Sequence, residues 1–331
     1  MPKFNWPIIG HQKIIQYLQN IIENNALNHA YLFYGPDNLG KSLIVDYFIK
    51  SIYCASQTSI PCNACLNCRQ IQKQIHPDII YLNKQEDKKN ISVEQVRQTR
   101  SKAQLSTFLN SHKVILIPQA DQLSLAASNA LLKVLEEPTK RTIFVFISAG
   151  LKNIPATILS RLQLIKFMPV AASQIEKYLL NKNIDKQTAY ELSHLAIGHP
   201  GRVLPLIEHP RLLNDYKNNL SQLLNVMDAN LNQRFELVEK LAAQDRSIQA
   251  RQNSINFLQN LSSCLRDILL IKNMCFDKIT HIAFKQQLSQ LALKYSPLEL
   301  VNLLKKIKHT QKYIEQNVNS RLALENLVLE F

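Results

Sequence analysis

Ala30-Tyr31-Leu32-Phe33-Tyr34-Gly35-Pro36-Asp37-Asn38-Leu39-Gly40-Lys41-Ser42-Leu43-Ile44 is the stretch whose reading decides the fold. Its first five residues form a short apolar run that reads as a strand buried on both faces. From Leu43 onward a helical spacing begins, continued by Tyr47, Phe48, Ser51 and Ile52. Between strand and helix stands G-x-x-x-x-G-K-S, the context in which this pattern is a phosphate-binding loop. Backbone N–H groups of such a loop, together with the helix N-terminus, form a cradle for anions. In such a cradle Lys41 reaches the β- and γ-phosphates and the Ser42 hydroxyl ligates Mg²⁺. Gly35, Gly40, Lys41 and Ser42 are therefore the candidate ATP/Mg²⁺ contacts. The alternative is a relic loop that binds nothing.

Strands and helices alternate on both sides of this unit. A helix is expected over 11–22 from Ile14, Ile15, Leu18, Ile21 and Ile22. Strands are expected at Asp78–Leu82, Lys113–Ile117, Thr142–Ile147 and Gln163–Phe167. Ser92 opens a helix to about 107 with Gln95 as capping-box partner, and Ser124 opens another that Pro138 halts. Such alternation implies a parallel sheet with helices on both faces, an α/β domain over residues 1–168. Beyond Pro169 the periodicity is helical only. It covers 173–184 and 187–197, a turn at Gly198-His199-Pro200-Gly201, then 202–207 and long stretches from about 212. This divides the chain into an α/β domain at 1–168 with an insertion at 54–68, a small helical lid at 169–209 and a helical domain at 210–331.

The composition agrees. The chain has 331 residues, 46% of them apolar, and its scarce glycine, 6 in all, with abundant Leu, Ile, Gln, Asn and Lys favours helices over sheets. No run approaches a membrane span, and the N-terminus lacks a signal peptide's apolar core, so a cytoplasmic location is expected. The net charge is +14, with 19 Lys/Arg against 10 Asp/Glu in residues 1–170 and 20 against 15 in 171–331. A basic surface suits nucleic acid or an acidic partner; a merely solvated lysine-rich surface is the equal alternative.

A phosphate-binding loop becomes a hydrolase only with acidic partners. The strand after the loop unit ordinarily ends in an Asp that helps hold Mg²⁺, beside a group that activates water. Here Lys113–Ile117 is followed by Pro118-Gln119-Ala120-Asp121. Proline holds no metal, neutral glutamine is a poor general base, and Asp121 comes three residues late, where it is expected to begin the next helix. The expectation is nucleotide binding at most, without hydrolysis.

Cys54, Cys62, Cys65 and Cys68 have the spacing C-x7-C-x2-C-x2-C. Four thiolates suit one tetrahedral Zn²⁺ with no open position, hence a structural ion. Pro61, Asn63 and Asn67 between them suggest a loop. Cys264 and Cys275 lie in an apolar helical region and are expected to pack in its core.

Taken together, several segments resemble the clamp-loader branch of the AAA+ proteins. They are Ile9-Gly10-His11-Gln12, the loop unit preceded by His29, the four-cysteine insertion and His76-Pro77-Asp78. Ser128-Asn129-Ala130-Leu131-Leu132-Lys133-Val134-Leu135-Glu136-Glu137-Pro138 and Ile158-Leu159-Ser160-Arg161 complete the set. The resemblance implies a RecA-like AAA+ domain, a lid and a C-terminal collar through which five subunits form a ring. It also implies motor (gamma/tau) and delta subunits as partners, with a sliding clamp and primer–template DNA reached through the complex. Within the branch the chain looks like the rigid end member, which does not hydrolyse ATP. Such a member inserts the arginine of its Ser-Arg motif, here Ser160-Arg161, into a neighbour's ATP site. Leu162 departs from the family's cysteine at that point. Gly198–Arg202 resembles the lid segment through which Arg202 could touch nucleotide in its own loop; an exposed arginine after a turn is the equal alternative. Ser148-Ala149-Gly150 departs from the Thr-Thr of motor subunits. The runner-up is an ATP-hydrolysing motor of the same loader, and a self-contained AAA+ translocase or helicase is more distant.

Overall fold

The computed structural model describes residues 3–85, 88, 90–104, 112–137, 141–227, 229–242, 248–316 and 318–330. They form two compact units, Met1–Tyr178 with Gly198–Gly201, and Leu179–Ile197 with Arg202–Phe331. The segment expected as a lid contributes to both. No described helix is long and apolar enough to cross a membrane.

In the first unit the elements follow the order β1 (Lys3–Phe4), α1 (Gln12–Glu23), β2 (Ala30–Tyr34), α2 (Lys41–Tyr53), β3 (Ser59–Ile60), α3 (Leu66–Gln72), β4 (Ile79–Tyr81), α4 (Val93–Gln104), β5 (Lys113–Ile117), α5 (Leu125–Glu136), β6 (Thr142–Ser148), α6 (Ala156–Leu159) and β7 (Gln163–Lys166). A helix α7 (Ala172–Asn181) follows. Five strands form one parallel sheet in the order β4-β5-β6-β2-β7. Its centre is buried on both faces, and the alternation of a strand sends successive side chains to opposite layers. Tyr31 and Phe33 of β2, with Val145 and Ile147 of β6, meet Ile44 and Phe48 of α2 and Leu18 of α1. Ala30 and Leu32, with Phe144 and Phe146, meet Leu131 and Leu135 of α5 and Ile158 of α6. The result is three layers, helix–sheet–helix, with β2 and its loop between the central strand β6 and the edge strand β7.

Local signals behave as expected at the described caps. Ser124 accepts from the N–H of Ala127 at 3.1 Å, and Ser92 and Gln95 bond reciprocally. The expected end of the first of these helices near 107, and Pro138 after the second, lie outside the described residues. Three readings change. Asp121 lies in a short 3-10 helix at Ala120–Gln122, ahead of the Ser124 cap, and so does not begin α5. Cys65 to Cys68 is not loop alone, because Asn67 and Cys68 sit in α3, whose Ile71 is buried in the core. A second parallel pair, β1 with β3, was not expected; each strand has two residues, too few for periodicity to register.

The second unit is helical, with α8 (Lys186–Leu195), α9 (Leu204–Glu208), α10 (Pro210–Met227), α11 (Leu231–Ala242), α12 (Ile248–Lys272), α13 (Lys285–Lys294), α14 (Pro297–Glu315) and α15 (Ser320–Val328). Their apolar stripes enclose a core that includes Leu258, Leu265, Ile268, Leu288, Leu300 and Leu324. Cys264 lies in that core, fully buried. Cys275 does not: it is half-buried in the turn after α12, where its thiol donates to the carbonyl of Asn273. Asp267, also fully buried, is satisfied by the N–H groups of Thr280 and His281 at 2.9 and 2.8 Å and by the His281 ring at 2.8 Å. That arrangement ties the 275–284 connection to α12, as a buried carboxylate requires.

Candidate functional site

The phosphate-binding loop begins where β2 ends and closes on α2. Gly35 has φ 146° and Gly40 φ 89°, backbone that only glycine adopts without strain. A Cβ on Gly35 would also stand 2.6 Å from the carbonyl oxygen of Phe167. Gly35→Ala should therefore cost about 1–3 kcal/mol, read as a lower midpoint in chemical denaturation; an unchanged midpoint would show that the loop relaxes freely. α2 starts without any side-chain cap, Gly40 being its N-cap. Its first N–H groups therefore keep no side-chain acceptor, and this fits an anion at that end. Lys41 is buried, and its ammonium donates to the carbonyls of Gly35 and Pro36 at 2.6 and 2.7 Å, with Asp37 Oδ1 at 3.4 Å. Those bonds are the ones a phosphate would replace. Ser42 is exposed.

Two segments hold the loop from outside. His11 Nε2 lies 3.0 Å from the carbonyl of Leu39; burial pushes the His11 pKa down, so the neutral ring is the donor there. His199 Nδ1 lies 2.7 Å from the carbonyl of Asp37, and the N–H of Gly201 donates to the carbonyl of Asn38 at 2.9 Å. A Cβ on Gly201 would press on Asn38 at 3.0–3.2 Å, so the glycine allows this approach. Arg202 is exposed at the end of the 3-10 turn Pro200–Arg202.

Where an acid would be expected, β5 gives way to Pro118 and an exposed Gln119. Asp121 is nonetheless brought close to the sheet's carboxyl end. Its Oδ1 lies 3.3 Å from the hydroxyl of Ser148, which also bonds the carbonyl of Gly150 at 2.5 Å. The Ser148 carbonyl in turn accepts from the N–H of Gly35 at 3.3 Å. Sequence spacing missed this contact, because the short turn folds Asp121 back toward β6.

Arg161 follows Ser160, the residue that caps α6. Its Nη1 donates to the carbonyl of Thr157 at 2.6 Å and to the Ser160 hydroxyl at 3.2 Å. Its Nη2 pairs with Glu136 at 2.6 Å. None of these partners belongs to the phosphate-binding loop.

The Sγ atoms of Cys54, Cys62, Cys65 and Cys68 all lie within 4.8 Å of one another, a set that could hold one metal ion. Sulfurs on a tetrahedral Zn²⁺ with bonds of about 2.3 Å stand at comparable separations. The N–H of Cys62 donates to Cys54 Sγ and the N–H of Cys65 to Cys62 Sγ, both at 3.3 Å. Such bonds favour thiolate over thiol. Backbone N–H groups of Ala64 and Cys65 pull Cys62 down to about 6, whereas burial pushes Cys54 and Cys68 up. Cys68 is fully buried and Asn67 anchors the module through a 2.8 Å bond to the carbonyl of Tyr53.

Comparison with known proteins follows the same features. Residues 10–171 match the family model described as DNA polymerase III, delta subunit. The chain is 29% identical to the DNA polymerase III subunit delta′ of Bacillus subtilis over 96% of this chain and 94% of that protein. It is 33% identical to the DNA polymerase III subunit tau of the same organism over 54% of this chain, a match that spans 31% of tau. A solved structure, a gamma-subunit-related protein of DNA polymerase III from Thermotoga maritima, aligns over 95% of this chain and 97% of its own, at 15% identity and a TM-score of 0.43.

Proposed function

Since this chain belongs to the clamp-loader family of bacterial DNA polymerase III, we propose that it is a delta-prime-like subunit that does not hydrolyse ATP and lends Arg161 to the ATP site of a neighbouring motor subunit. The observation that carries this reading is the end of β5, where Pro118-Gln119 leaves no carboxylate. Without an acid there, water beside the loop lacks a general base, a loss worth about 10²–10⁴ in rate. Its own machinery is thus disabled, while the charge that would act on phosphate stands on the surface at Arg161, beside Ser160.

In this reading residues 1–168 are the AAA+ domain, 169–209 the lid and 210–331 the collar. The collar would join the chain to motor (gamma/tau) and delta subunits in a five-membered ring that places a sliding clamp on primer–template DNA in the cytoplasm. Zn²⁺ would be held by Cys54, Cys62, Cys65 and Cys68 as a structural ion. ATP with Mg²⁺, where bound, would sit on Gly35, Gly40, Lys41 and Ser42 with Arg202 as a further contact. Its role would be to order the loop.

The second reading, a hydrolysing motor, is favoured by the intact loop, by the 33% identity to tau and by Asp121 beside Ser148. Turnover by the purified chain separates the two. With ATP and Mg²⁺ the isolated protein should release phosphate at the background rate, and Lys41→Ala should change nothing. Robust release that Lys41→Ala abolishes would establish the motor reading instead.

A further inference from the structure

Glu136 is the last residue of α5, and its carboxylate sits 2.6 Å from Nη2 of Arg161, which lies 25 positions further along the chain. A carboxylate in the last turn of a helix faces the negative end of the helix dipole, where cations are favoured. Glu136 therefore stands against the field of its own helix, and a cation from a different element compensates it. Arg161 is held at the same time by Thr157 and Ser160, so three acceptors on two segments fix a guanidinium that is only about a third exposed, at 34%. An ion pair this open to water contributes little to folding. What it does is restrict an otherwise mobile side chain before any ligand arrives. Among the described residues, Nε–H and one proton of Nη2 are the donors left over.

We propose that Glu136 is a positioning residue that holds the guanidinium of Arg161 ready for the phosphate of a nucleotide carried by a neighbouring subunit. The proposal rests on the reading of Arg161 given above. Donors fixed in advance need no reorganisation when charge develops, and small misplacements of a catalytic group are expensive in rate. Thr157 and Ser160 share one short turn with Arg161 and so move with it. Glu136 alone ties it to the helical layer of the domain.

The test uses the loader reconstituted from this chain with motor and delta subunits, stimulated by clamp and primed DNA. Glu136→Ala should lower kcat, read as pre-steady-state phosphate release, by roughly five- to twenty-fold with KM for ATP unchanged. Glu136→Gln, which keeps an acceptor in place, should recover most of it. On an Arg161→Ala background, Glu136→Ala should add nothing, as expected when one residue acts through the other. The proposal is overturned by an unchanged kcat in a loader that Arg161→Ala does slow. A rise in kcat, meaning restraint in place of alignment, or an effect that persists without Arg161 would also overturn it. If Arg161→Ala alone leaves turnover unchanged, the arginine reading fails first, so the two failures are told apart.

Discussion

Displacing the metal from Cys54, Cys62, Cys65 and Cys68 should release about one Zn²⁺ per chain and unfold the segment from Cys54 through α3, lowering the melting temperature by about 10 °C. The size follows from what the ion holds. Between α2 and α3 the chain has only β3, two residues long, as regular structure, and its few backbone bonds cannot order the connection. In small zinc modules the ion contributes about 10–16 kcal/mol of folding free energy. Here α3 is also retained by Ile71 in the sheet's core and by the Asn67–Tyr53 bond, so the loss is smaller, of order 3–5 kcal/mol. Cys68→Ser should reproduce it, because Cys68 is the fully buried thiol of the four. Burial keeps Cys54 and Cys68 protonated without metal, so binding must expel protons, and acid should release the ion. Metal analysis near zero after desalting, or a Cys68→Ser protein that melts like the parent, would remove the site from the account.

What the amino-acid order reveals depends on how local each contact is. The run Ala30–Tyr34 shows itself as a strand because both layers demand apolar side chains, and its neighbour β6 carries the same mark, whereas the edge strand β7 is mostly exposed. The phosphate-binding loop is equally legible, since glycines at positive φ and the following helix are matters of a few adjacent residues. The cysteine spacing is legible for the same reason. Contacts made by distant partners are hidden. Nothing near Asp121 announces that its carboxylate meets Ser148, 27 positions away, and counting from the end of β5 makes it look misplaced. Glu136 reads as one more acid at a helix end until Arg161 is seen against it. His199 and Gly201, 162 positions from Asp37 in the case of the histidine, look like a simple turn in sequence and prove to brace the loop. Cys275 reads as a core residue in sequence because its apolar neighbourhood continues past the end of α12, where the chain has already left the core.

Arg161→Ala should leave this chain folded and able to assemble, yet slow ATP turnover at the neighbouring site by about 10²–10³. An arginine supplied in trans to a γ-phosphate is worth about 10³–10⁵ at its best, each decade being about 1.4 kcal/mol of barrier. The lower figure is expected because only Nε–H and one Nη2 proton of the guanidinium are left to meet a phosphate, the others being held by Thr157, Ser160 and Glu136. Folding should be nearly untouched: exposed ion pairs contribute about 0–1 kcal/mol, so the melting temperature should move by no more than a few degrees. Arg161→Lys should not restore the rate, since an ammonium has neither the planar fork nor the reach of a guanidinium. The kinetic form matters as much as the size. An interaction made only in the transition state lowers kcat and kcat/KM together, whereas one made equally in the ground state raises KM alone. In a loader whose other motor sites draw their arginines from other subunits, pre-steady-state phosphate release is the measurement to make, because steady-state turnover dilutes the effect. Unchanged release in a loader of normal composition would mean that Arg161 is a surface residue paired with Glu136 and nothing more.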